Sequence, residues 1–158
     1  MPARLVLLIG LCGGLLTLGG AGCAPSLSPL YRDYEVVVPD TTRAADLSAR
    51  IATALQQAGW ELGESPTAPL ITTRPRTLNN WGIYRVEVAL EVAPLHGNYV
   101  RVFIHPYRRF FTGGRSKIPY LRGSIERAIL PDLTKAFEAQ GLHLRGSAIE
   151  RDREATEG

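Results

Sequence analysis

The sequence predicts an α+β domain, a two-layer sandwich in which a mainly antiparallel sheet of about four strands carries two helices on one face. Apolar residues recur at helical spacing over residues 44–58 and again over 119–140, and each run ends at a glycine, Gly59 and Gly141. Between them, residues 84–104 alternate apolar and polar side chains around a turn, which is typical of a β-hairpin. We expect both helices to pack on the aliphatic face of this sheet.

The first strand is predicted at residues 34–38, where Pro39 ends an alternating pattern. Residues 40–42 (Asp-Thr-Thr) offer capping oxygens for the helix that follows. A return strand begins at residues 60–62 and resumes at 70–73 after an interruption that contains two prolines. This segment is therefore either two short strands or one broken strand.

The second half of the chain contains the hairpin, a loop and the last helix. Pro106 in the returning hairpin strand suggests an edge position or a bulge. Residues 112–117 are expected to form a mobile loop, and a short strand is expected at 142–144. Pro131 is expected to kink or restart the last helix. The predicted core is Val36, Leu47, Ile51, Leu55, Val86, Val88, Val102, Ile125, Leu133 and Phe137.

The start of the chain has the layout of a bacterial secretory signal peptide. Arg4 precedes an apolar run over residues 5–18, and small residues then lead to Cys23. This stretch resembles the bacterial lipobox, although Gly20 stands where that motif usually has leucine. The resemblance implies that Cys23 is lipidated. Two alternatives remain open: ordinary cleavage after Ala24, and an uncleaved transmembrane helix.

These observations divide the chain into a signal peptide, a tether, one folded domain and a tail. A chain that begins at Cys23 has 136 residues, which is enough for one core. Ala24 rather than aspartate follows the cysteine, which favours the outer membrane, with the domain facing the periplasm. The expected boundaries are 1–22 for the signal peptide, 23–30 for the tether, 31–147 for the domain and 148–158 for a disordered charged tail.

The composition gives little support for an enzyme or a cofactor site. After removal of the signal peptide no second thiol remains, and the three histidines have no ligand spacing, so neither a metal nor a cofactor is expected. No serine lies in a Gly-x-Ser-x-Gly motif. Residues 113–117 superficially resemble a phosphate-binding loop, but the spacing is not that of a P-loop. We therefore expect a non-enzymatic protein.

The distribution of charge is more informative than the total. Residues 71–117 carry eight Lys and Arg but only two acids. On the hairpin, basic and aromatic side chains alternate on the face opposite the aliphatic one, and this face could hold an anionic ligand or a partner. In the alternative interpretation the residues only cover the sheet, with ion pairs such as Arg101 with Glu91. The candidate surface consists of Arg85, Arg101, Phe103, His105, Tyr107 and Arg109.

The order of elements over residues 31–141 resembles the helix-grip domains of BamC-type lipoproteins, which are accessory parts of the outer-membrane β-barrel assembly machinery. It also resembles, less closely, the lipopolysaccharide-assembly lipoprotein LptE. Both resemblances imply a scaffold or adaptor at the outer membrane. The expected partners are an envelope protein or, alternatively, lipopolysaccharide, lipid or a small anionic ligand, and export argues against nucleic acid as a partner.

Overall fold

The structure of the chain is a computed structural model. The lipidation site predicted at Cys23, the capping residues 40–42 and the signal peptide predicted at 1–22 lie outside the residues that it describes. The described residues are 28–37, 44–65, 67–95, 98–148 and 151.

The described part of the chain forms one antiparallel sheet of seven strands and two helices. The prediction of about four strands is therefore wrong. The sequence pattern missed two short strands because neither has an alternating apolar face: Arg76–Asn80 contains one large apolar residue, and all three residues of Arg115–Lys117 are exposed. The elements are β1 (Tyr31–Val36), α1 (Ala44–Gln57), β2 (Ile71–Thr72), β3 (Arg76–Asn80), β4 (Tyr84–Pro94), β5 (Tyr99–Phe110), β6 (Arg115–Lys117), α2 (Gly123–Ala139) and β7 (Leu142–Gly146).

The sheet is built around the long hairpin of β4 and β5. Its strand order is β2-β4-β5-β1-β7, with β3 also paired to β4 and β6 also paired to β5. The segment predicted as two short strands or one broken strand is split. Ile71–Thr72 pairs with β4, and before it Leu62 makes only an isolated bridge to Thr73.

Pro106 lies at the point where β5 changes its neighbour from β1 to β6. Side chains keep alternating between the two faces of the sheet along β5 on both sides of Pro106. Ile104 N–H donates to the Leu30 carbonyl on the β1 side (2.8 Å), whereas the carbonyl of Pro106 accepts from Ile118 N–H (2.9 Å). The ladder to β1 ends at Tyr31, and that to β6 begins at Lys117. A proline has no N–H to donate, and at this junction it loses no ladder bond.

One buried cluster joins both helices to the aliphatic face of the sheet. Nine of the ten predicted core residues belong to this cluster, and the tenth, Leu47, is partly buried against it. The ring of Tyr34 from β1 lies 4.6 Å from that of Phe137 from α2. Arg50 of α1 donates to the carbonyl of Gln140 at the end of α2. Within the described residues, neither helix is long and apolar enough to cross a membrane.

Both predicted helix-ending glycines adopt the left-handed conformation. Gly59 has φ +77° and Gly141 has φ +70°. After Gly59, Trp60 N–H reaches back to the Leu55 carbonyl (2.9 Å), which satisfies a carbonyl of the last helical turn. The last helix runs through Pro131 as one element, so the predicted restart is wrong.

Candidate binding face

The six predicted surface residues lie together on the sheet face opposite the helices. Arg101, Phe103, His105, Tyr107 and Arg109 alternate along β5 with the buried residues of the core face. Arg85 of β4 is directly opposite Arg109 in the register. We call this surface, with the acidic residues between its basic groups, the open face.

At one end of the open face, two arginines bind the buried carboxylate of Asp33. Arg101 makes a bidentate contact of 2.7 and 3.0 Å, and Arg151 adds a hydrogen bond of 3.1 Å. The Asp33 side chain is only 4% exposed. Burial pushes the pKa of Asp33 up, but the hydrogen bonds and positive charges of both arginines outweigh it, so the net effect is a lowered pKa.

Arg101 is held on two sides. Its hydrogen bonds to Asp33 raise the Arg101 pKa, and its guanidinium lies 4.4 Å from the centre of the Tyr31 ring. The alternative sequence interpretation paired Arg101 with Glu91, but its partner is Asp33. This change of partner follows from the register, in which β1 places Asp33 directly opposite Arg101. Arg101 is therefore a structural ion-pair partner as well as a surface residue.

In the middle of the face, His105 lies beside Glu91. The Nε2 atom of His105 is 3.5 Å from a Glu91 carboxylate oxygen and has no hydrogen-bond partner among the described residues. Phe103 is directly opposite Tyr31 in the β1–β5 register and is half-buried. This part of the face combines aromatic surface with a weakly engaged imidazole.

At the other end, Arg85 and Arg109 share the carboxylate of Glu87. The distances are 2.7 Å from Arg85 and 3.8 Å from Arg109, and the Glu87 side chain is 6% exposed. Two cations on one carboxylate leave a local excess of positive charge. Arg115 of β6 adds to it, with its guanidinium 3.6 Å from the centre of the Tyr107 ring.

Sequence reasoning missed four residues that shape this face. Asp33 was overlooked because the predicted first strand began at Tyr34. Arg115 lay in the predicted loop 112–117, where β6 now forms. Arg145 and Arg151 lay beyond the predicted last strand, and the assignment of a charged tail hid the pairing of Arg151 with Asp33.

Three of these missed residues, Asp33, Arg145 and Arg151, line a second feature, which we call the arginine cleft. It is a cavity of about 530 Å³ lined by residues of β1, β5, β7 and the segment after it. Arg145 pairs with Glu35 at 2.5 Å. Three arginines thus meet two carboxylates, which leaves one positive charge in excess. The lining residues are Asp33, Leu95, Tyr99, Arg101, Arg145 and Arg151.

No protein-family model matches the chain, and a search of curated proteins returned no match. Within the residues that the structure describes, no group of three or more His, Cys, Asp or Glu side chains could hold a metal ion.

Proposed function

We propose that this chain is a lipid-anchored lipoprotein of the cell envelope whose domain acts as a non-enzymatic scaffold or adaptor, for example in outer-membrane assembly. In this proposal Cys23 carries the lipid, the anchor lies in the outer membrane, and the domain faces the periplasm. The signal-peptide layout of residues 1–22 supports export to the cell envelope. The adaptor role is supported by the chemistry of the open face.

The observation that carries the adaptor role is a row of arginine and aromatic side chains on a sheet face that no described element covers. Both helices lie on the opposite face, so neither of the described helices covers the open face. Arginine and aromatic residues are enriched in protein interfaces and provide most of their binding energy. Phe103 and Tyr107, both half-buried beside basic groups, are the expected anchors of a partner.

Site-specific photo-crosslinking in cells tests the adaptor role. A photoreactive amino acid would replace Phe103 or Tyr107 on the open face and, as a matched control, Lys135, which is exposed on the helix layer. The proposal predicts discrete protein adducts from positions 103 and 107 that are missing at 135. Identical adducts at all three positions, or none at any, would contradict it.

A second candidate function is the binding of an anionic ligand such as lipopolysaccharide or a phosphate group. The three arginines of the arginine cleft favour it, because guanidinium groups bind phosphate oxygens in a bidentate manner. Arg145 is the most suitable residue to change, because among the described residues its ion-pair partner is the half-buried Glu35, whereas Arg101 and Arg151 hold Asp33. If this function holds, Arg145→Ala weakens binding of purified lipopolysaccharide in calorimetry, whereas Lys135→Ala does not.

A further inference from the structure

Two neighbouring turns at one end of the sheet expose three large apolar side chains. Trp81 and Ile83 lie in the β3–β4 turn and are 64% and 63% exposed, and Phe111, in the β5–β6 turn, is 77% exposed. The turns are adjacent because Tyr84 pairs with Phe110 in the register. We call these three residues the apolar tip. Large apolar side chains grouped in this way on a surface mark an interaction site.

The backbone of both turns is well defined. Trp81 N–H donates to the Tyr84 carbonyl (2.9 Å), and Phe110 N–H donates to the Gly114 carbonyl (2.8 Å). A cleft of about 400 Å³ lies between the turns, and Tyr84, Arg109 and Phe110 are among its lining residues. Backbone hydrogen bonds therefore define the two turns from which the tip side chains project.

The surroundings of the apolar tip are positively charged. Residues 77–87 and 106–118, which contain both turns, include five Lys or Arg and one acid, Glu87, which pairs with Arg85 and Arg109. Of these, Arg115 and Lys117 lie on the exposed strand β6. Apolar side chains surrounded by basic residues are the combination that binds the interface of an anionic bilayer, where tryptophan is also favoured.

The chain enters the domain on the same half of the sheet. Leu30 accepts a hydrogen bond from Ile104, and Ser28 forms a bridge with Leu121, which closely follows Ile118, the donor to the carbonyl of Pro106. Phe111 is five residues further along, or about 17 Å at strand spacing. Cys23 precedes Ser28 by five residues, which can span at most about 18 Å. A lipid on Cys23 and the apolar tip can therefore reach one membrane plane.

We propose that the apolar tip inserts into the headgroup region of a phospholipid bilayer containing anionic lipids, with the nearby arginines and Lys117 at the level of the phosphates. The proposal rests on the lipid anchor at Cys23 for its orientation, and it makes the protein bind its membrane at two points. The sheet would then stand away from the membrane and leave the open face accessible from the side.

The fluorescence of Trp81 tests this arrangement in the full, lipidated chain. The chain has two tryptophans, and Trp60 is only 3% exposed. The protein would be reconstituted into phosphatidylcholine vesicles with or without phosphatidylglycerol, and the emission of the Trp81→Phe variant subtracted to isolate Trp81. In vesicles with phosphatidylglycerol we expect a blue shift of the Trp81 emission and the loss of most of it when the acyl chains are brominated.

A matched control places the probe at the far end of the sheet. Val37 is 61% exposed and follows the end of β1 that is level with Asn98, roughly 40 Å from the apolar tip along β5. In the Trp81→Phe background, Val37→Trp should be unshifted and unquenched. Equal quenching at both positions, or emission from Trp81 that stays typical of water, would overturn the proposal.

Two further measurements separate this proposal from the others. Reversal of charge by Arg115→Glu with Lys117→Glu should reduce the Trp81 shift in the phosphatidylglycerol vesicles, and an unchanged shift would count against a membrane contact through phosphates.

If Trp81 is protected without lipid and the chain sediments as a dimer, a second copy covers the tip and the proposal is wrong. If Cys23 is lipidated and Trp81 is not quenched, insertion of the tip is wrong, whereas the lipid anchor is supported. If Cys23 is not lipidated, the anchor is wrong. Co-flotation of the full chain with the same vesicles would then support membrane binding by the apolar tip, and failure to co-float would contradict it.

Discussion

Two guanidinium groups converge on the buried carboxylate of Asp33, and this contact links β1, β5 and the segment after β7. An uncompensated charge at a buried site is costly, because neither water nor a counter-ion replaces the lost partner. The same contact explains why Arg101 contributes to folding although it lies on the open face. Substitutions on this face must therefore be chosen with Asp33 in mind.

We expect Asp33→Asn to lower the free energy of unfolding at neutral pH by about 2 kcal/mol, which is below the value for a fully buried pair because both arginines reach solvent. The pKa of Asp33 is lower in the folded state than in the unfolded state. The contribution of its carboxylate to the free energy of unfolding is therefore present above the ordinary pKa of aspartate and is lost as the pH falls through the folded-state pKa. Urea denaturation from pH 7 to pH 3 should show a shallower decline for Asp33→Asn than for wild type. The exposed Asp132→Asn is the control, and parallel curves for Asp33→Asn and wild type would contradict the assignment.

Tyr34 gives the opposite dependence on pH. Burial raises the pKa of Tyr34 to about 12, and its hydroxyl is 3.4 Å from that of Thr134. Because the pKa of Tyr34 is raised in the folded state, the contribution of its neutral hydroxyl to the free energy of unfolding is complete below the ordinary tyrosine pKa of about 10. This contribution is lost as the pH rises toward 12. Tyr34→Phe should therefore lose less stability than wild type between pH 9 and pH 11 in chemical denaturation. If the free energy of unfolding of wild type falls no more steeply with pH than that of the variant, ionisation of the Tyr34 hydroxyl does not cause the loss of stability at high pH.

At the scale of elements, the buried side of α1 holds the first half of the chain on the sheet. Leu55 is fully buried in the core cluster, whereas its neighbour Gln56 is exposed. Leu55→Ala should lower the free energy of unfolding by about 2–5 kcal/mol, since it removes buried apolar surface and leaves a cavity. Gln56→Ala should change it by less than about 0.5 kcal/mol. Thermal and urea denaturation of both variants measure the difference, and equal effects would mean that the helix face is wrongly assigned.

Elements with a strong repeat were predictable from the sequence, and those without one were not. Both helices and the β4–β5 hairpin follow periods of 3.6 and 2 residues, and Gly59 and Gly141 give their ends a local cause. β3 and β6 exist because the edges of the hairpin offer free backbone groups, and a polar or basic segment can pair with them without an apolar pattern. Edge pairing of this kind has little local sequence signal.

The candidate site divides in the same way. The face of β5 from Arg101 to Arg109 was predictable because alternation alone determines it. The partners of its charges were not, since Asp33 and Arg151 are brought there by the β1 register and by the path of the chain after β7. The apolar tip escaped prediction for a related reason, because Trp81 and Phe111 are thirty residues apart in the sequence and the pairing of β4 with β5 brings their turns to the same end of the sheet.

At the scale of the whole molecule, the proposals combine into one arrangement. The lipid on Cys23 and the apolar tip would bind the same bilayer, and the open face and the arginine cleft would remain available to a partner in the periplasm. Each part can fail separately: the anchor by the chemistry of one cysteine, the tip by the environment of Trp81, and the adaptor role by crosslinks from Phe103 and Tyr107. The anchor is the central claim, because it gives the other two their orientation.

Mass spectrometry of the N-terminus, on protein extracted from membranes of the native host, tests the anchor most directly. The account predicts that the chain begins at Cys23 and that the N-terminal peptide carries a diacylglyceryl group, with a mass that returns to the unmodified value after removal of the acyl chains. A free N-terminus at Pro25, which ordinary cleavage after Ala24 would produce, or an intact start at Met1, would contradict it.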